Sequence, residues 1–201
     1  MQVNDIEGVF AEICVLLKVC YTDRKAVLRI LGGSVQTMLG IDMSALVRPA
    51  TLADTEEIAA IHHEAFPRQR ESLTWVKATL SAVPRILSFV LLLDDRIVGY
   101  IFWAQKSGIR PAAVLELEQV AVLSEFQRRG NGEHLIRESL TLVVAELSSN
   151  GQSVKSVLVS TRADNDATHL YSRVLGARIV ASIEGLYSAT EVFMLAENFD
   201  A

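Results

Sequence analysis

The chain has 201 residues, half of them apolar, with few aromatics and a net charge of −5, which is the composition of one full-sized globular domain with or without an appendage. The acidic balance, and the lack of any Lys/Arg block, argue against a nucleic-acid-binding surface. No apolar run reaches membrane-spanning length, because Glu12 and Lys18 interrupt the best candidate, residues 9–19, so no membrane partner is expected. Cys14 and Cys20 have no metal-type spacing and read as reduced thiols of a cytosolic protein. The first residues, Met1 to Glu7, lack the positive charge of a secretion signal, so a cytoplasmic location is expected.

Residues 1–42 form their own block. Val3, Ile6, Val9, Phe10, Ile13, Leu16 and Leu17 recur at helical spacing, Ala26, Val27, Ile30 and Leu31 begin a second run, and Gly32-Gly33 break it. The spacing predicts an N-terminal helical extension that caps the main domain, mediates a homodimer or contacts a partner. A small helix-turn-helix is disfavoured by the acidity of its first helix. Met43-Ser44 marks a natural beginning for a domain over residues 43–201.

Within that domain, residues 45–48 read as a strand whose ladder Pro49 should end. Thr51 to Asp54 is a capping box before a helix carrying Ile58, Ala59, Ile61, His62 and Ala65. A basic loop at 66–72 leads to a helix over 73–80. Residues 88–93 and 96–103 form a hairpin about Asp94-Asp95, and a polar loop at 105–111 precedes a strand over 115–123. A helix over 131–147, a strand over 154–160, a helix over 166–175 and strands at 177–183 and 191–195 complete an α/β domain on a mixed sheet.

The stretch from Leu115 to Ile136 organises the rest. A β-rich apolar run, Leu115 to Leu123, meets a short turn, and Gln127-Arg-Arg-Gly-Asn-Gly132 opens a segment of helical period. A strand, a glycine-bearing turn and a helix N-terminus make an anion site, since the first backbone N–H groups of a helix have no internal partners. A P-loop would need a Lys after Gly132, and a dinucleotide fingerprint a third Gly where Leu135 stands.

Gln127-x-x-Gly130-x-Gly132, preceded by Val120-Ala121-Val122, resembles the acetyl-CoA signature of the GNAT N-acetyltransferase superfamily. The phrases Val47 to Asp54 and Val98-Gly-Tyr-Ile101 look like its opening and its third strand. The resemblance implies a mixed, mostly antiparallel twisted sheet flanked by helices. It implies that acetyl-CoA binds with its pantetheine arm along the backbone of Val120, Ala121 and Val122, and with its diphosphate on Gln127, Arg128, Arg129, Gly130, Asn131, Gly132 and Glu133. Glu133 is a departure, since its carboxylate repels a diphosphate unless it is turned away.

A second resemblance lies in Asp164-Asn-Asp-Ala-Thr-His-Leu-Tyr171, similar to the superfamily's Asn-x-x-Ala-x-x-Leu-Tyr, with Asp164 at the Asn position and Asn165 beside it. It implies that Tyr171 donates to the departing sulfur, although Ala167, Leu170, Tyr171, Val174 and Leu175 also make an ordinary apolar helix face. One extra residue before Gly176, and Ala177 in place of Phe, depart from that pattern. Glu116 and Glu118, two apart on the central strand, should share a face with each other and with Val120. Partial burial would raise either toward the range of a general base, and a water relay is the alternative.

No His/Cys/carboxylate spacing argues for a metal, and there is no Gly-x-Ser-x-Gly elbow. The implied activity is transfer of an acetyl group to a primary amine of a small molecule or peptide, in a ternary complex. The rival reading is a non-catalytic acyl-CoA sensor or interaction module. Loops 66–71, 105–112 and 184–190 should shape the acceptor pocket.

Overall fold

The computed structural model describes residues 45–197 and Phe199. The expected extension over 1–42 and its boundary lie outside the described residues. Within them, β1 (Ala45–Pro49) leads through a 3₁₀ turn (Leu52–Asp54) into α1 (Thr55–Ala65) and α2 (Ser72–Leu80). The hairpin of β2 (Ile86–Leu93) and β3 (Arg96–Lys106) is followed by β4 (Ala112–Val122), a second 3₁₀ turn (Ser124–Phe126) and α3 (Asn131–Ser149). Then come β5 (Ser153–Arg162), α4 (Ala167–Leu175), β6 (Arg178–Ile183) and β7 (Glu191–Glu197). Kind and order agree with the pattern read from the sequence, and most strands run longer than expected.

The seven strands make one sheet in the order β1-β2-β3-β4-β5-β7-β6. Every neighbouring pair is antiparallel except β4 and β5, which run parallel because α3 carries the chain back between them. Asp94 and Asp95 both take positive φ, the turn whose twist matches a tight hairpin.

Pro49 does not end the β1 ladder. It pairs with Phe89, and the Ala50 N–H still donates to the Ser88 carbonyl at 2.8 Å. β1 is an edge strand and Pro49 falls at a position facing away from β2, so its missing N–H removes no bond.

Two apolar layers sandwich the sheet. On one face, Leu135, Ile136, Val143 and Leu147 of α3, with Tyr171 and Leu175 of α4, bury against Leu91, Ile101, Trp103, Leu115, Leu117, Val157 and Met194. On the other, Ile58 and Ile61 of α1 with Val76 and Leu80 of α2 bury against Val90, Tyr100, Phe102, Ala104 and Ala121. The helices are amphipathic at helical spacing and the strands alternate, so each β3 side chain feeds one layer or the other. Gly99 is required where α3 crosses: a Cβ there would lie 2.9 Å from the Ala121 carbonyl oxygen and 3.1 Å from Val122.

β1 is tied to α1 by Arg48, which donates to both carboxylate oxygens of Asp54 at 2.8 and 2.7 Å. Asp54 also accepts the Thr51 N–H at 2.7 Å, which is one half of the expected capping box. The Arg48 bond comes first among the causes that hold the Asp54 carboxyl below its usual value.

Candidate active site

α3 begins without a cap. Its N-cap is Gly130 at φ 85°, and among the described residues no side chain caps the first turn. The first intrahelical bond is His134 N–H to the Gly130 carbonyl at 2.9 Å, so the amides of Asn131, Gly132 and Glu133 precede the ladder. A Cβ placed on Gly130 would meet nothing within 4 Å, so the turn opens outward. Arg128, Arg129 and Gly130 are all exposed, and among the described residues Arg128 has only a distant partner, Asp166 at 3.9 Å. Gln127 and Asn131 brace the loop from beneath: their side-chain amides donate to the carbonyls of Val122 and Phe126, both at 2.8 Å.

Glu133, the awkward residue, is turned aside. Its carboxylate accepts from Arg137 and from Arg173 of α4, each at 3.0 Å. Those two bonds lead the causes that hold it below its ordinary value. Its charge is thereby spent in joining α3 to α4.

Beside this helix start the sheet opens. β4 and β5 pair only as far as Leu117 opposite Val159. Beyond that point β5 stays with β7 as far as Arg162, and β4 stays with β3 as far as Val122. The Leu123 N–H bonds Val98 of β3 at 2.9 Å, so by alternation the backbone groups of Val120 and Val122 face the gap. The Val122 carbonyl is taken by Gln127, which leaves its N–H and both groups of Val120 toward the opening. Ala121 faces the other way and is buried in the α1/α2 layer.

A bulge corrects the expected arrangement of the carboxylates. Gln119 pairs with Phe102 and Leu117 with Trp103, so Glu118 is an extra residue and the alternation reverses across it. Leu117, Val120 and Val122 pack in the α3 layer, whereas Glu116 stands opposite Ala104, a residue of the α1/α2 layer. Glu116 therefore does not share the face of Val120. It is ion-paired with Lys106 at 2.6 Å. Glu118 remains close to Glu116: its carboxyl is raised above the ordinary value, by desolvation first and by the Glu116 charge second, while Arg85 and Lys106 pull it down.

On α4, Tyr171 is 6% exposed, and burial pushes its phenol up to about 12. Its hydroxyl has no hydrogen-bond partner among the described residues, yet it is not one of the sealed polar atoms. The helix closes on Gly176 at φ 68°, with Gly176 N–H to Ser172 at 3.1 Å and Ala177 N–H to Tyr171 at 3.4 Å. The Gly176 bond to Ser172, made from a left-handed glycine, is an αL ending.

Asp164 and Asn165 are both engaged within the fold. Asp164 accepts two bonds from Arg162, at 2.9 and 2.6 Å. Asn165 accepts the Ala167 N–H at 3.0 Å and donates to Thr161 at 2.9 Å. These bonds start α4 rather than reaching outward.

Sequence reading passed over a polar chain on the α1/α2 face. The Tyr100 hydroxyl donates to Gln119 Oε1 at 2.8 Å, and Gln119 Nε2 donates to Gln69 Oε1 at 3.5 Å. The available signal was an amide inside an apolar strand. Arg68 also donates to Ser188 at 2.8 Å, so two of the three expected acceptor loops, 66–71 and 184–190, meet. Among the described residues no group of three His, Cys, Asp or Glu is placed to hold a metal ion, and no helix is long and apolar enough to cross a membrane.

A profile described as "Acetyltransferase (GNAT) family" matches residues 52–177. No curated protein matches the chain in sequence. Among solved structures, Arabidopsis thaliana NAA60 in complex with a bisubstrate analogue is 19% identical with a TM-score of 0.62, covering 76% of this chain and 97% of that one. The same protein in complex with acetyl-CoA is 20% identical with a TM-score of 0.62, covering 76% and 98%. The ribosomal-protein-alanine N-acetyltransferase of Brucella melitensis is 20% identical with a TM-score of 0.63, covering 76% and 99%. At these identities the likeness is one of fold.

Proposed function

The chain belongs to the acetyltransferase (GNAT) family, and from that premise we propose that it moves the acetyl group of acetyl-CoA directly to a primary amine, both substrates being bound together. The observation that carries this reading is the uncapped start of α3, with Gly130 open to solvent, beside the gap where β4 and β5 part. A diphosphate suits the first amides, the positive end of the helix and Arg128 and Arg129. The pantetheine arm suits the outward backbone groups of Val120 and Val122, as an added strand. A neighbour of this fold holding a bisubstrate analogue supports simultaneous occupancy.

The residues then divide the chemistry. Glu118, partly desolvated and raised, takes a proton from the incoming ammonium, directly or through a water. Glu116 is committed to Lys106 and is the weaker candidate. The free amine attacks the thioester carbonyl and forms the C–N bond as the C–S bond breaks. Tyr171, with its phenol held up to about 12, stays protonated at neutral pH and donates to the leaving sulfur.

The test is purified full chain with coenzyme A, then acetyl-CoA with an amine panel and free-thiol detection. Binding should raise Tm, thiol should be released with some amine, and Tyr171→Phe should lower kcat on the order of 100-fold at unchanged Tm. Binding without turnover over a broad panel would assign the chain to the acyl-CoA-binding modules instead. Neither binding nor turnover would sink both.

A further inference from the structure

The end of the sheet face that carries Glu116 and Glu118 holds an open cavity of about 540 Å³, at the base of β4. Ala112 and Val114, which alternate with Glu116, form part of its wall, as do Lys106, Arg110 and Lys155. On a chain of net charge −5 this is a local reversal of sign, because three cations converge on one recess. Lys106 is matched by Glu116 at 2.6 Å. Arg110 and Lys155 have no carboxylate partner among the described residues.

The recess is also built. Arg110 Nε donates to the Ser107 carbonyl at 3.0 Å, which fixes the guanidinium and spends only one of its five donors. The loop carrying it is held from within: the buried Gln152 donates to the Arg110 carbonyl at 2.7 Å, and the Ser153 N–H donates to that of Pro111 at 2.7 Å. Ala113 pairs with Val154 and Val114 with Ser156, so Lys155 is an extra residue on β5, and such a bulge re-aims its side chain.

We propose that this recess is the anion subsite of the acceptor site, taking the carboxylate or phosphate of a substrate whose amine lies at Glu118 on the same sheet face. Val114 and Glu118 stand four positions apart on β4, so the two ends of the acceptor stand on the order of 13 Å apart. Half-buried Leu158, opposite Glu116, lies between and offers an apolar floor to the spacer. The proposal rests on the acetyltransferase reading for its amine end only.

The experiment uses the full chain, a series of ω-amino carboxylates of graded length and their uncharged amides. The carboxylate of matching length should be acetylated with kcat/KM at least about tenfold above its amide, the scale of one charge-assisted bond. The double variant Arg110→Gln/Lys155→Gln should erase that preference through KM, leaving kcat and the KM for acetyl-CoA unchanged. An equal rate for carboxylate and amide, or a preference that survives in the double variant, overturns the proposal.

A second arm does not need turnover. Inorganic phosphate titrated by NMR should move the signals of Arg110 and Lys155 in the parent and not in the double variant. Phosphate that binds both alike, or neither, overturns the subsite even where acetyl transfer stands. If no amine is acetylated while phosphate binds only the parent, the subsite stands and the acetyltransferase reading falls.

Discussion

The lower part of β4, residues 114–117, is paired on both sides, to β3 and to β5, while the upper part, 119–122, keeps β3 alone. The two halves are written in the same apolar, β-rich style. Leu115 and Leu117 below are sealed at 0% and 3% exposure, whereas Glu118, Gln119 and Val120 above are exposed or half-buried. A finished ladder confers stability and leaves no polar group for a ligand. An unfinished one, beside an uncapped helix start, leaves a row of donors and acceptors that a second molecule can complete. The bulge at Glu118 is the joint between the two regimes, and it leaves that carboxylate within reach of the Glu116 charge.

The sharpest way to break that contrast is at the joint. Glu118→Gln keeps the shape and removes the base, and kcat should fall roughly 100- to 10,000-fold. Because the carboxyl of Glu118 is raised, wild-type kcat/KM should decline as pH falls through that raised value, and the variant should lose this limb. The stability effect has the opposite sign. A carboxyl whose folded pKa lies above its unfolded one contributes stability that is present below the unfolded value and is lost as pH rises through the folded value. At neutral pH the charged Glu118 beside Glu116 is therefore a liability, and Glu118→Gln should melt slightly higher than wild type there. Steady-state kinetics and thermal denaturation across pH check both signs. An active variant with an unchanged profile would move the proton transfer to a water relay and strip the joint of its chemical role.

What made this contrast partly legible beforehand is local. The glycine-bearing turn, the apolar run before it and the helical period after it lie within Leu115 to Ile136, so strand, turn and helix could be read from adjacent residues. The bulge could not. It arises from pairing Gln119 with Phe102 and Leu117 with Trp103, a register set by tertiary packing, and simple alternation misplaced Glu116 relative to Val120. Pro49 misled for the same reason, since its consequence depends on β1 being an edge strand. The partners of Glu133, Arg137 nearby and Arg173 some 40 residues on, show the limit from the other side. A residue that reads as an unfavourable charge in the sequence is neutralised by a helix it meets only in the fold.

A change in the closed half should act on stability and spare activity. Ser139 is 0% exposed and accepts the Trp103 indole N–H at 3.0 Å, joining α3 to β3 opposite Leu117. Ser139→Ala leaves that N–H without a partner in a dry layer, at a cost of about 1–3 kcal/mol. Tm should drop by about 2–4 °C for each kcal/mol in a domain of this size. Measured at a temperature where both proteins are folded, kcat/KM should match wild type. A loss of activity that precedes unfolding would show that the two halves are not separable.

The smallest change tests the open half from its other edge. Gly130 sits at φ 85° with free space where a Cβ would go, so Gly130→Ala meets no clash and its cost is conformational, about 1 kcal/mol. That alone should lower Tm by about 2–4 °C. A ligand that lies against the turn meets both the added methyl and any shift the strain imposes on the first amides of α3. Coenzyme A affinity should therefore weaken by about tenfold, roughly 1.4 kcal/mol, beyond anything the stability change explains. Dephosphorylated pantetheine fragments, which lack the diphosphate, should bind parent and variant alike. Isothermal titration of both ligands against both proteins separates the terms. If coenzyme A binds Gly130→Ala as tightly as wild type, the helix start is an ordinary strand-to-helix turn, and the incomplete ladder of upper β4 would have to hold the donor without it.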